Sequence, residues 1–167
     1  LRDDWSSSAD ALWTSDGKTS QLGLQIHYLP KSNDRLFNVG YSFRRDVPAL
    51  NQKALRQTST SFLQPLTANW RMLGLWQYDL VNKETPDALL GLTYDSCCWQ
   101  MSLYRRQFLV DADSGSTSAS RRRSAFFIEV TLKGLAGLSS GVNDLLKNKV
   151  FGYSQTRENS ASLGVTR

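Results

Sequence analysis

Leu22-Gly23-Leu24-Gln25-Ile26-His27-Tyr28, followed a turn later by Phe37-Asn38-Val39-Gly40-Tyr41-Ser42-Phe43, is the stretch that decides the fold. In both halves every second side chain is apolar or aromatic, and the positions between are polar or glycine. Successive side chains of a strand point to opposite faces, so a period of two writes one apolar and one polar face. An amphipathic helix would repeat at three and four residues instead.

The same rhythm recurs along the chain. Trp70, Met72, Gly74, Trp76, Tyr78 and Leu80 alternate with a face carrying Arg71, Gln77 and Asp79 beside the less polar Leu73 and Leu75. Trp99, Met101 and Leu103 alternate with Gln100, Ser102 and Tyr104, and Phe126, Ile128, Val130 and Leu132 with Phe127, Glu129, Thr131 and Lys133. Weaker candidates lie at 5–13, 58–64 and 88–94. The total is about eight strands, many near the nine to eleven residues of a tilted membrane-spanning strand and longer than the five or six usual in a soluble sandwich. The expected fold is all-β: antiparallel, up-and-down transmembrane β-barrel strands over residues 1–135, then a tail at 136–167.

Connections at 15–18, 30–35, 65–69, 82–87 and the Asp95-Ser96 step are short and rich in turn formers. Two others, 46–56 and 111–123, are long and polar, and counting strands puts both on one side of the sheet. Outer-membrane barrels have short periplasmic turns and longer extracellular loops, which assigns Pro30, Pro65 and Cys97-Cys98 to the periplasmic side. Trp5, Trp13, Trp70, Tyr94 and Trp99 fall near strand ends, where an interfacial belt would sit, although a sandwich core would also accept them. Past Leu132 a glycine-rich passage leads to a short helix near 143–150, capped by Asn143 or Ser140, and then to a polar, poorly ordered end.

Composition narrows the function classes. The 167 residues suffice for one sizeable core, and the 40% hydrophobic content is dispersed, with no run near the roughly 20 residues of a membrane helix. The opening residues show neither a basic segment nor an apolar run, as in a mature chain or an excised piece. A net charge of +5 permits an anionic partner or simply aids solubility. His27, the single histidine, sits mid-strand on the polar face and reads as a satisfied group more than a base. Asp10, Asp79 and Glu129 lie on different strands, with neither a phosphate loop nor a nucleophile elbow. The expectation is therefore no enzyme, no cofactor and no metal site. The adjacent Cys97 and Cys98 read either as free thiols, one buried, or as partners of cysteines outside this chain in an oxidising compartment.

In the barrel reading the polar face lines a lumen. Arg44, Arg71, Gln77, Asp79, Arg106, Glu129 and Lys133 are its substrate-path candidates, with Gln25, His27, Ser42, Gln100 and Thr131 beside them. Arg44, Arg71 and Arg106 either contact substrate or form ion pairs with Asp79 or Glu129. Arg121, Arg122 and Arg123 are expected in a long outer loop, as a solvated charge run or as contacts for phosphate groups outside the cell.

The segment Leu92-Thr93-Tyr94-Asp95-Ser96-Cys97-Cys98-Trp99 resembles the adjacent-cysteine segment of the lipopolysaccharide-assembly family LptD. Similar pieces occur in the family's order: Tyr41-Ser42-Phe43-Arg44-Arg45, Asn69-Trp70-Arg71, the run from Phe127 to Leu135 and the run from Asp144 to Tyr153. The resemblance covers about 36–154. It implies the last portion of a very large barrel in the Gram-negative outer membrane, one that inserts lipopolysaccharide into the outer leaflet with an LptE-type lipoprotein inside. Cys97 and Cys98 would form disulfides to an N-terminal periplasmic domain, itself joined to the periplasmic lipopolysaccharide-transport bridge. Residues 125–135 would be the final strand, with Phe126, Ile128, Val130 and Leu132 as the gate strand, read by the barrel-assembly machinery. Lipopolysaccharide and outer-membrane lipids are the implied ligands, and nucleic acid is not. This chain departs from the pattern in lacking the N-terminal domain and the remaining strands. Two other readings stand beside it: a small complete outer-membrane barrel with a structural or adhesive role, and a soluble β-sandwich binding module. Eight strands cut from a large barrel would carry two unpaired edges and aggregate in isolation.

Overall fold

A computed structural model describes residues 4–13, 19–30, 34–45, 54–110, 121–133 and 141–154. Its strands are β1 (Trp5–Trp13), β2 (Thr19–Tyr28), β3 (Leu36–Arg44), β4 (Leu55–Pro65), β5 (Trp70–Asp79), β6 (Glu84–Asp95), β7 (Trp99–Val110) and β8 (Arg121–Leu132), followed by helix α1 (Gly141–Lys149). All eight strands form one antiparallel sheet whose spatial order is the chain order. The sheet is open: among the described residues β1 and β8 pair with β2 and β7 alone, so these strands do not close into a complete barrel.

Residues opposite one another in register share a face, which makes the pairing a test of the alternation. The row Trp76–Ala88–Gln107–Ser124 lies on one face, and the row Leu75–Leu89–Arg106–Ala125 on the other. The first face collects Trp5, Leu24, Ile26, Tyr28, Phe37, Val39, Trp70, Trp76, Leu92, Tyr94, Trp99, Ile128 and their neighbours. Nothing covers it among the described residues: Phe37 is 42% exposed, Val39 38%, Trp76 47% and Ile128 73%. A sandwich would have buried these side chains under a second sheet. A continuous uncovered apolar face on strands of nine to twelve residues is instead what lipid covers.

The opposite, inward face is only partly polar. Leu36, Leu63, Leu73, Leu75, Leu89 and Tyr104 form an apolar patch across β3–β7, and α1 with the residues just after it seats Leu146, Val150 and Tyr153 on it. Leu146 is 0% exposed. Leu73 and Leu75, the less polar positions expected between Arg71 and Gln77, are buried because the chain folds its own helix over them.

Three boundaries also differ from expectation. The final strand begins at Arg121 rather than Ala125 and ends at Leu132, so the three arginines are strand residues, opposite Val110, Leu109 and Phe108. Polarity suggested a loop, but a strand rim projecting past the apolar band accepts charge without losing its ladder. Strand β6 starts at Glu84, which leaves only 80–83 for the turn expected at 82–87. Asn143 lies inside α1 and does not cap it, while Ser140 and the end beyond 154 fall outside the described residues.

Candidate functional site

The connections at 29–35, 66–69 and 96–98 lie at one end of the sheet, the short-turn end; the two longest, 45–54 and 111–120, lie at the other, beside 14–18 and the four-residue turn 80–83. The short-turn end carries an aromatic row on the outward face. Trp5 lies against Tyr28 (centroids 4.8 Å), Trp70 against Tyr94 (5.0 Å) and Tyr94 against Trp99 (5.3 Å). Such rings have an apolar body and a polar edge, and that combination suits headgroup depth.

Cys97 and Cys98 stand in the turn between β6 and β7, both exposed, with their sulfurs 2.8 Å apart. The turn is fastened from three sides. Asn69 Nδ2 donates to the Asp95 carbonyl at 2.7 Å, and Arg71 pairs with the Asp95 carboxylate at 2.5 Å. Lys133, just past β8, pairs with the same carboxylate and donates through Nζ to the Ser96 carbonyl at 2.7 Å. Backbone bonds from Ser96 N to Trp99 O and from Lys133 N to Cys98 O complete the clamp. The thiols are consequently displayed at a fixed place on the wall. A hydrogen bond from Cys98, with help from Ser96 and the charge of Lys133, holds the Cys97 thiol below its ordinary range; that bond and the charge on Cys97 push Cys98 above its own, against the pull of Lys133. Cys97 is therefore the first of the pair to become thiolate, the form that attacks a disulfide.

The inward-facing candidates divide by partner. Arg106 grips Asp87 with Nε and Nη2, both at 2.9 Å, and Lys149 of α1 reaches the same carboxylate at 2.5 Å. Asp87 is nearly fully buried between the two cations. Arg71 thus pairs with Asp95 and Arg106 with Asp87, two carboxylates other than the Asp79 and Glu129 that the sequence brought forward. The geometry explains the change. Asp79 sits at the end of β5 and accepts from Val81 N, Asn82 N and Asn82 Nδ2, so it shapes the β5–β6 turn. Glu129 lies opposite Ser102, well away from Arg106, which faces Ala125. Arg44 ends β3 at the long-connection end, with its Nε buried. Gln77 faces inward opposite Ser59 and Asp87.

His27 is satisfied: its ring nitrogens lie 3.0 Å from Asn38 Oδ1 and 3.2 Å from Gln25 Oε1, and its ring stacks on Phe151 at 4.1 Å. Asn38 Nδ2 donates in turn to Ser61 Oγ and the Phe151 carbonyl. A polar recess of roughly 110 Å³ opens here between the strands and α1. Asp87, Asp95, Asn38 and Lys149 carry this network, and sequence reading missed all four. Their only signal was parity: Asn38, Asp87 and Asp95 fall on the same face as Arg71 and Arg106. Among the described residues no cluster of histidine, cysteine and carboxylate could hold a metal ion.

The three inferred-loop arginines separate. Arg121 and Arg123 share the inward face with Phe108, and Arg122 shares the outward face with Leu109. The outward residues of β8, Phe126, Ile128, Val130 and Leu132, line the free edge and are all exposed.

No family model matches the chain. It is similar to proteins named LPS-assembly protein LptD: 35% identical over 158 residues in Acinetobacter baumannii, covering 95% of this chain and 19% of that protein. The LptD of Acinetobacter baylyi is 34% identical (90% of this chain, 18% of the relative), and that of Pseudomonas aeruginosa is 31% identical (95% and 18%). Over nearly its whole length the chain thus matches one stretch of proteins of the LptD family. It spans about a fifth of the length of the curated relatives it matches. Family and fold together make it a stretch of outer-membrane β-barrel wall.

Proposed function

We propose that this wall serves lipopolysaccharide assembly in the outer leaflet, with the apolar face toward lipid, the inward face toward a lumen and the β8 edge as one side of a lateral gate. The observation that carries this reading is the open sheet: an uncovered apolar face ends in a free strand, β8, whose outward Phe126, Ile128, Val130 and Leu132 are all more than half exposed. A large barrel needs more strands than these, and lipid offers no partner for an unpaired edge, so β8 pairs with a strand of the wider barrel. Weak pairing at that seam would let an amphiphile leave sideways, its saccharide in the lumen and its acyl chains in lipid. Phe126, Ile128, Val130 and Leu132 form the lipid side of the gate.

In this scheme the long-connection end is extracellular and the short-turn end periplasmic. The cysteine turn then faces the periplasm, where Cys97 and Cys98 form disulfides with an N-terminal domain connected to the periplasmic lipopolysaccharide-transport bridge. An LptE-type lipoprotein occupies the lumen, and β8 is the strand that the barrel-assembly machinery reads. Arg44, Gln77, Glu129, Arg121 and Arg123 lie along the substrate path. Arg71, Asp79, Arg106 and Lys133 serve mainly to hold the wall in shape. Moving a lipid through a gate requires no bond to be made or broken, and no catalytic residue is assigned.

Two measurements on the full-length protein test this. A photoreactive residue in place of Ile128 should capture lipopolysaccharide in cells, and depletion of the protein should lower surface lipopolysaccharide. Unchanged surface lipopolysaccharide on depletion defeats the reading. For the cysteines, non-reducing mass spectrometry should find Cys97 and Cys98 joined to distant partners.

A further inference from the structure

The outward face departs from its apolar character along one line. Counting from the short-turn end, β7 presents Trp99, Met101 and Leu103, then Arg105 and Gln107. Strand β8 presents Leu132, Val130, Ile128 and Phe126, then Ser124 and Arg122. Register sets Arg105 opposite Phe126, Gln107 opposite Ser124 and Arg122 opposite Leu109. Four polar side chains thus climb the β7–β8 seam beside the free edge, and both arginines are exposed.

Arg105 is the informative member. Its guanidinium lies 5.8 Å from the centre of the Phe126 ring, and its other flanks on this face are Leu90 and Leu103. The outward positions of β7 and β8 carry no carboxylate. Six residues separate it from Trp99, which at a tilt of about 40° raises it roughly 15 Å above the aromatic row in an apolar band about 25 Å tall. An arginine facing acyl chains near mid-depth is disfavoured, and its long stem lets it reach up toward the nearer interface. The next residue, Arg106, shows how this fold neutralises an arginine it buries, with a bidentate carboxylate. Among the described residues Arg105 has none on this face, and an anionic lipid headgroup is a counter-charge the membrane can supply.

We propose that Arg105, Gln107, Ser124 and Arg122 form a track on the lipid side of the gate that holds the phosphate of an outer-leaflet glycolipid, lipopolysaccharide, as it leaves the edge. The occupant follows from charge and height: a planar guanidinium matches a phosphate with two parallel hydrogen bonds, and the track runs upward into the outer half of the membrane. The choice of lipopolysaccharide rests on the function proposed above; the lipid-facing position of the track does not.

The test uses the full-length protein in phosphatidylcholine nanodiscs, with a photoreactive residue replacing Leu103. Lipopolysaccharide, dephosphorylated lipopolysaccharide or phosphatidylglycerol is added, and lipid adducts are counted. Arg105→Leu should lower lipopolysaccharide adducts about tenfold, the equivalent of about 1.4 kcal/mol, and Arg105→Lys should restore part of them. Dephosphorylated lipopolysaccharide should give the low level with or without the arginine. Arg105→Leu should keep its heat-sensitive folded migration, since leucine is at home against lipid. Unchanged adducts, equal capture of phosphatidylglycerol, or failure of Arg105→Leu to fold overturns the track. The two readings separate cleanly. Adducts that depend on Arg105 while depletion leaves surface lipopolysaccharide unchanged sink the translocon and keep the site; the reverse result sinks the track alone.

Discussion

The two faces of this sheet are both rich in leucine, and they meet opposite fates. On the inward side Leu63, Leu73, Leu75 and Leu89 are buried under α1. On the outward side Leu24, Leu90, Leu92 and Leu103 are exposed, with nothing laid over them. Chemistry does not distinguish the two sets. What differs is the supply of a cover: the described residues include one short helix, enough for the β3–β7 patch, and the bilayer must serve for the rest. The inward face is consequently held by packing and ion pairs specific to this fold, whereas the outward face is held by a solvent.

The sharpest way to break this contrast is to attack the inward cover. Leu146→Ala empties a fully buried position and should weaken the docking of α1 by about 2–5 kcal/mol. Hydrogen exchange on the membrane-embedded full-length protein should show α1 amides losing protection while the β4–β6 amides keep theirs. Loss of protection in both would mean that helix and sheet form one cooperative unit.

A charge placed on each face comes next. Ile128→Arg on the lipid side should cost about 2–3 kcal/mol in a denaturant titration in liposomes. Thr131→Arg, facing inward among polar groups, should cost less than about 1 kcal/mol. Equal costs would mean that lipid does not cover the first.

Glycine supplies a finer comparison, because each face has one under an aromatic ring. A Cβ on Gly91 would come within 2.5 Å of Tyr104, which is buried, and one on Gly74 within 2.3 Å of Phe62, which borders lipid. Overpacking of this kind costs about 1–3 kcal/mol. Gly91→Ala should fall at the upper end, since Tyr104 has nowhere to swing, and Gly74→Ala at the lower, since Phe62 can turn into the bilayer. The same titration reads both.

The smallest effect belongs to the cysteine turn. Asp95→Asn removes the carboxylate from two part-exposed ion pairs and should cost only about 0.2–1 kcal/mol. Its signature is chemical. In the reduced full-length protein, Cys97 should alkylate ahead of Cys98 as pH rises toward the thiol range, because its thiolate forms at lower pH. Asp95→Asn, by loosening Lys133, whose charge favours both thiolates, should move the alkylation of both cysteines to higher pH; mass spectrometry of the labelled peptides measures it.

Much of this architecture was legible from residue order. Phe37, Val39, Tyr41 and Phe43 specify an apolar strand face because side-chain direction in a strand has a period of two, and register then carries that face across the whole sheet. Less of the site could be read. Arg105 and Arg106 are adjacent and identical, and only parity separates a lipid-facing arginine from one locked to Asp87. Arg121–Arg123 looked like loop because local polarity resembles a loop, and pairing with β7 overrides it.

By itself the sequence determined the strand count, the antiparallel order and the face that meets lipid, since these follow from alternation and short turns between neighbours in the chain. Only the tertiary structure decided that α1 folds back over the inward leucines, that Asp87 takes two cations and that Asp95 clamps the cysteine turn. Those ion pairs join residues 19 to 62 positions apart, across strands or back from the helix, and no local pattern encodes them.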